Sequence, residues 1–270
     1  MTERRISFVI PARNEEALIA ETLEAILASV ALASGTSRDE LWLPDTAFEV
    51  IVADDGSEDD TAAIVGAFAD DVGVQLVPCA GGTCAAARNA GAAVSSGRVL
   101  CFVDADTIVP ATAVDRILEL HENDGRCLVL YRLASREPGI LAWLWWTFWG
   151  LARHVPLARA KSMPAFMSCD RSHFERYGPF DESRVIAEEW PLTGAAYRYH
   201  RERFLYDRSV TALTSSRRME LQPIGYLRTF FKWVLVVLFP WARSNDYDRI
   251  RHETANQRNA SEIKDRAGVG

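Results

Sequence analysis

Apolar residues cluster in four short runs over the first hundred or so positions: 6–10 (ISFVI), 48–53 (FEVIVA), 74–77 (VQLV) and 98–103 (RVLCFV). Runs this short and rich in Val, Ile and Phe suit strands buried on both faces. Between and after them the apolar positions recur at helical spacing, over 16–30, 61–69, 85–94 and, behind Pro110, 111–123. The strand-helix alternation predicts an α/β fold whose mostly parallel sheet carries helices on both faces. In such sheets ligands bind beyond the carboxyl ends of the strands. Residues 34–46 (SGTSRDELWLPDT) are mostly polar, with Gly and Pro, and read as a surface connection.

After about residue 125 the pattern changes. A tryptophan-rich stretch, 139–150 (GILAWLWWTFWG), precedes a polar middle and a second aromatic stretch, 226–241 (YLRTFFKWVLVVLFPW). Neither reaches the roughly 18 to 20 uninterrupted apolar residues that cross a bilayer. Both suit peripheral contact at a membrane interface, with Trp at headgroup level, and equally a core, a dimer contact or an aromatic wall for a sugar. The expected organisation is a first half, 1–125, a second half of the same domain, 126–243, and a charged, flexible tail, 244–270.

With 270 residues and 49% hydrophobic composition the chain can bury a sizeable core. Its net charge of −7 argues against a nucleic-acid partner, which would call for a dominant basic face. Five scattered cysteines without a CxxC pair indicate neither a disulfide framework nor a zinc site, which suits a cytoplasmic protein. The amino terminus, MTERRISFVIPARNEE, lacks the apolar core of a signal peptide.

The candidate chemistry gathers behind the predicted strands. PARNEE (11–16) follows the first, DDGSEDDT (54–61) the second and DAD (104–106) the fourth. In DDGSEDDT, Gly56 permits a turn, and Ser57 with Asp60 could form a capping box for the next helix. On an extended segment Asp104 and Asp106 would face one crevice, where two carboxylates repel unless a cation or donor satisfies them. A hard divalent ion, Mn or Mg, bridging to a diphosphate would do so. The small-residue segment 81–91 (GGTCAAARNAG) is neither a Walker loop nor a GxGxxG fingerprint, and Arg88 on it could pair with phosphate or with the acids.

Taken in order, VIPARNEE, VIVADDGSEDDT, ARNAGAAVSSGRVLCFVDADT and YGPFDES followed by EEW resemble glycosyltransferase family 2, inverting enzymes of GT-A fold. The resemblance is strong over 6–109 and looser over 166–218. It implies a Rossmann-type nucleotide-binding sheet with an acceptor-side carboxy-terminal portion, and a nucleotide-sugar donor. It further implies donor contacts from Pro11, Ala12, Arg13, Glu15, Asp54, Asp55, Arg88, Asp104 and Ala105. Asp106, assisted by Asp104, would hold the Mn or Mg ion. The family takes its catalytic base from an Asp in a Glu-Asp pair; here the pair is Glu188-Glu189, so the base expected at Glu189 is one methylene longer, with Glu188 as the alternative. Trp190 would line the substrate site, and Arg217 and Arg218 of TSSRR (214–218) would close over the diphosphate. The acceptor is unidentified, with a saccharide or lipid-linked group as candidates, and the expected location is the cytoplasm, at the inner face of the membrane. The rival readings are a nucleotidyltransferase, disfavoured because PARNEE has no glycine, and a non-catalytic sugar-nucleotide-binding protein.

Overall fold

A computed structural model describes residues 5–80, 82–161, 165–184 and 187–217, with positions 231, 234 and 235. Its strands are β1 (Ile6–Ala12), β2 (Phe48–Asp54), β3 (Gln75–Pro78), β4 (Val99–Val103), β5 (Thr107–Ile108), β6 (Leu128–Ser135), β7 (Phe166–Asp170) and β8 (Phe204–Thr214). They form one sheet in the order β3-β2-β1-β4-β7-β6-β8-β5, so strands from both halves of the chain share it. The first four run parallel, as the alternation predicts. β7 then runs antiparallel to β4 and β6, β8 lies parallel to β6, and β5 closes antiparallel on β8.

Every residue of β1, β2 and β4 is buried, which is why those runs are so apolar. β3 differs from its expected burial: it is the edge strand, and its terminal residues Gln75 and Pro78 are exposed. Of the two charges in β2, Asp54 ends the strand and Glu49, inside it, is satisfied in place. Its Oε1 accepts from Ser7 Oγ at 2.6 Å and from the backbone N–H groups of Ser96 and Gly97 at 2.6 and 3.2 Å.

Helices α1 (Ile19–Ser34), α2 (Thr61–Val72) and α4 (Ala113–Leu118) cover one face, where Leu23, Ile26, Val65 and Ile117 pack with Phe8, Ile10 and Val50. Helices α3 (Cys84–Val94), α6 (Arg171–Tyr177) and α7 (Trp190–Tyr199) go with the other, where Ala85, Phe174 and Leu192 pack with Val9, Leu100 and Phe102. The spacing expects the first helix from residue 16, but α1 starts at Ile19. Glu15 and Glu16 are taken up by the loop after β2: the Glu15 N–H donates to Thr61 Oγ1 at 2.8 Å, and Glu16 Oε2 accepts from the Asp60 N–H at 3.1 Å. The expected capping box does not form either. Ser57 Oγ donates instead to Asp54 Oδ1 at 2.5 Å, and Asp59 accepts from the N–H of Thr61, the first residue of α2. The connection at 34–46 is more than surface, since it contains two 3₁₀ turns that bury Leu41 and Leu43.

The tryptophan-rich stretch forms α5 (Ile140–Ala152), with Ala142 and Trp149 buried while Ile140, Leu141, Trp143, Leu144, Phe148 and Leu151 are exposed. Among the described residues no helix is long and apolar enough to cross a membrane. The expected tail, 244–270, and nearly all of 226–241 lie outside the described residues.

Candidate active site

Three loops meet at the carboxyl ends of β1, β2 and β4. The first two are stapled together: the Asp55 N–H donates to the Ala12 carbonyl at 2.8 Å, the Asn14 N–H to Ser57 Oγ at 3.0 Å, and the Glu58 N–H to Asn14 Oδ1 at 2.8 Å. Asn14 and Gly56 both have positive φ, 54° and 71°, conformations that Asn tolerates and Gly adopts at no steric cost.

Between the loops lies a cleft lined by Pro11, Ala12, Arg13 and Glu15 from the first, Asp55 from the second, Cys84 and Ala87 from α3, and Asp104, Ala105 and Asp106 after β4. Its enclosed part is about 40 Å³, room for about three waters or one phosphate group. The DAD segment is a turn and not the extended stretch expected, with the Thr107 N–H donating to the Asp104 carbonyl at 3.0 Å, yet both carboxylates reach the cleft. Asp106 is steadied from β8, whose Thr214 Oγ1 donates to its Oδ1 at 3.3 Å. Arg13 lies 3.5 Å from Asp55 Oδ2. Glu15 is ion-paired with Arg217, which ties the TSSRR segment to the first loop. Arg218 lies outside the described residues.

Two residues expected at the donor do not line the cleft. Asp54 is spent on the turn, accepting from the N–H and hydroxyl of Ser57. Arg88 is buried, at 2% exposure, behind the cleft wall. Its Nη2 donates to Asp104 Oδ1 at 2.6 Å and its Nη1 to Glu188 Oε1 at 2.7 Å, with the guanidinium 5.5 Å from the centre of the Phe180 ring. Burial opposes its charge, but Cys84, Asp104 and Glu188 outweigh that and hold its pKa above the ordinary value. The neighbouring Asn89 makes a reciprocal pair with the Phe180 backbone, Nδ2 to O at 3.0 Å and N to Oδ1 at 2.9 Å. Thus α3 grips both the DAD turn and the YGPFDES loop.

Glu189 is the N-cap residue of α7, has no exposed surface, and lies within the electrostatic reach of Arg153, the buried residue that ends α5. Burial lowers the Arg153 pKa to about 10, and Tyr206 and Glu189 offset part of that shift. Ala187, just before the acidic pair, has a left-handed φ of 63°, costly for a residue with a Cβ.

Trp190 lies not in this cleft but on a second one of about 250 Å³ along α7, with Asp181, Arg184 and Arg198. His200 is held by the Tyr177 hydroxyl at 3.1 Å. Ser168, His121 and Asp170 are linked like a nucleophilic triad, at 2.7 and 2.9 Å, but Ser168 sits mid-strand in β7, between β4 and β6, with its hydroxyl also bonded to that of Tyr131 at 2.8 Å, so the three form a core network that lines neither cleft. Cys84 and Ala87 line the cleft and Asn89 holds the Phe180 backbone, roles that the small-residue pattern of 81–91 does not specify.

Among the described residues no three His, Cys, Asp or Glu side chains are grouped to hold a metal unaided. The cleft still fits a magnesium- or manganese-type ion, because such ions take one or two carboxylates and complete their shell with substrate phosphate and water. Asp104 and Asp106 supply those carboxylates, and Asp104 already shares its charge with Arg88.

Residues 7–177 match the model of glycosyl transferase family 2. The chain belongs to that family. It is 35% identical over 215 residues to the probable glycosyltransferase YdaM of Bacillus subtilis, a match that covers 73% of this chain and 48% of YdaM. The chain therefore spans about half the length of that relative. Among solved structures it is similar to glucosyl-3-phosphoglycerate synthase of Mycobacterium tuberculosis with Mn²⁺, UDP-glucose and phosphoglyceric acid. The TM-score there is 0.57 at 21% identity, over 86% of this chain and 79% of that one. It is likewise similar to residues 1–349 of Staphylococcus aureus TarS with UDP-GlcNAc, with a TM-score of 0.55 at 15% identity over 76% and 58% of the two chains. The fold is the GT-A arrangement of these glycosyltransferases.

Proposed function

We propose that this family 2 protein transfers a sugar, with inversion, from a nucleoside-diphosphate donor to a hydroxyl acceptor, aided by a divalent cation. The observation that carries the reading is the Arg88 bridge, which joins Asp104 in the cleft to Glu188 beside the buried Glu189. The bridge fixes the acidic pair beside the donor cleft, where a base that takes the acceptor's proton would have to stand. The solved neighbours crystallised with UDP sugars supply the donor class and make UDP the natural probe.

In this reading Asp55 and Arg13 meet the base and ribose, with Pro11, Ala12, Glu15 and Ala105 shaping the cleft. Asp106 and Asp104 hold the Mn or Mg ion, which when bound neutralises charge on the departing diphosphate. Arg217, and Arg218 with it, close over that diphosphate. Arg88 and Asp54 act one step back, the first fixing Asp104 and Glu188, the second holding the turn that presents Asp55. The acceptor oxygen forms the new bond to the anomeric carbon as the bond to the diphosphate oxygen breaks. The nucleoside diphosphate leaves with that electron pair, and Glu189 takes the acceptor's proton.

Glu189→Gln tests the reading, because a base matters to transfer and not to holding the donor. Turnover of UDP-glucose to an acceptor or to water should fall about a hundred- to ten-thousandfold with UDP affinity unchanged, while the Tm falls only modestly, because the amide fills the same space but no longer offsets the charge of Arg153. Loss with Glu188→Gln alone moves the base by one residue. Unchanged turnover in both variants would overturn the assignment, and a non-catalytic binder would behave that way. A nucleotidyltransferase would instead release pyrophosphate. We further propose that the exposed apolar face of α5 rests on a membrane surface, at the cytoplasmic side.

A further inference from the structure

The second cleft differs in character from the first. Its wall along α7 is the face formed by Pro191, Gly194 and Arg198, three and four residues apart. A Cβ at Gly194 would meet no atom within 4 Å, so the missing side chain leaves open space. Trp190, the first residue of α7, shares this wall, and Arg184 and Asp181 complete the lining. Arg184 Nε donates to Asp181 Oδ2 at 2.7 Å, and its guanidinium lies 5.3 Å from the centre of the Trp190 ring, leaving its other N–H donors for a ligand. Arg198 is exposed and has no ion-pair partner among the described residues. Two arginines against one aspartate make this cleft net positive, whereas Glu15, Asp55, Asp104 and Asp106 against Arg13 make the donor cleft net negative.

Position adds to charge. Trp190 directly follows Glu189, and the Asp181 N–H donates to the Glu188 carbonyl at 2.8 Å. On the other side Arg88 links Glu188 to Asp104. The acidic pair therefore stands between two clefts of opposite sign. A donor bound through a cation needs the negative one; the positive one suits a ligand that brings its own negative charge.

We propose that the α7 cleft is the acceptor site and that the acceptor is a polyol bearing an anionic group, phosphate or carboxylate. Arg198 and the remaining donors of Arg184 bind the anion as charge-assisted hydrogen bonds, and Trp190 gives the polyol an aromatic edge beside the base. This inference rests on the transferase reading for the role of the acidic pair, not for the existence of the anion site.

Isothermal titration calorimetry with UDP and Mn²⁺ already present tests it, using glucose 6-phosphate, gluconate and glucose as probes. Both anionic probes, or one of them, should bind clearly more tightly than glucose, and the difference tells phosphate from carboxylate. Arg198→Glu, at an exposed position, should weaken that binding about tenfold or more. Gly194→Leu, which fills the cleft where a Cβ meets nothing, should abolish it. Both variants should bind UDP as the wild type does. Equal or tighter binding of glucose, no binding of any probe, or anion binding indifferent to both substitutions would overturn the proposal. Failure of UDP to bind while the anionic probe still responds to Arg198→Glu would instead count against the transferase reading alone.

Discussion

At the scale of single residues, the most consequential side chain is Arg88, because one buried cation satisfies two carboxylates drawn from parts of the chain far apart. Removing one member of a buried ion pair costs more than the pair contributes, since the remaining charges stay desolvated. Arg88→Met should therefore destabilise the protein by roughly 3–5 kcal/mol in urea unfolding, and a change within experimental error would show that Asp104 and Glu188 are hydrated in solution. Arg88→Lys should recover only part of the loss, because an ammonium cannot present the planar fork that spans both partners. The sequence made Arg88 legible as a partner of either phosphate or acid. It did not show that Glu188 would be the second partner, because the two are 100 residues apart and only the folded chain brings them together. Asn89, whose amide holds the Phe180 backbone, was hidden for the same reason.

At the scale of elements, α3 must lie close on the sheet for Arg88 to reach both acids. Gly91, one turn further on, permits that approach: a Cβ there would fall 2.5 Å from Val9 Cγ1, a branched side chain in the core with little freedom to yield. Gly91→Ala should cost about 1–3 kcal/mol by overpacking and should weaken nucleotide binding with it; a neutral or stabilising effect would mean that the helix shifts freely. The α5 end is tied down by Lys161, whose ammonium donates to the carbonyls of Arg153 and Val155. Burial, with Arg153 and Arg201 nearby, brings the Lys161 pKa from the ordinary 10.5 down to about 8. Between those values the unfolded chain holds a proton that the native state has released, so stability rises with pH across that window. The Tm of wild type minus that of Lys161→Met should climb from pH 8 to 10.5, and a flat difference would contradict the shift. Strands β1, β2 and β4 were legible because burial on both faces writes an unbroken apolar run. The turns were less so: Ser57 and Asp60 have the spacing of a capping box, but Asp54 captured the Ser57 hydroxyl first.

At the scale of the molecule, the half of the sheet built from β5 to β8 was the least legible. β8 carries polar residues along an 11-residue strand with several exposed positions, and its pairing with β6 is set by contacts that local pattern does not encode. The tryptophans of 139–150 left membrane, acceptor and core all open, and the structure separates them by exposure, with Trp149 buried and Trp143 63% exposed. If α5 rests on a membrane, the wild type should co-sediment with mixed zwitterionic and anionic vesicles, and Trp143→Glu with Leu144→Glu should release it; absence of co-sedimentation at low salt would leave that face to another partner. The central claim, a metal-assisted nucleotide cleft at the carboxyl ends of β1, β2 and β4, is tested most directly by the affinity for UDP with and without Mn²⁺ in wild type, Asp106→Asn and Asp55→Ala. The expected result is that Mn²⁺ tightens UDP binding in the wild type, that Asp106→Asn loses this gain while its Tm holds, and that Asp55→Ala binds UDP more weakly whether or not Mn²⁺ is present. A manganese-dependent gain of the same size in Asp106→Asn as in the wild type, or no UDP binding by the wild type, would contradict it.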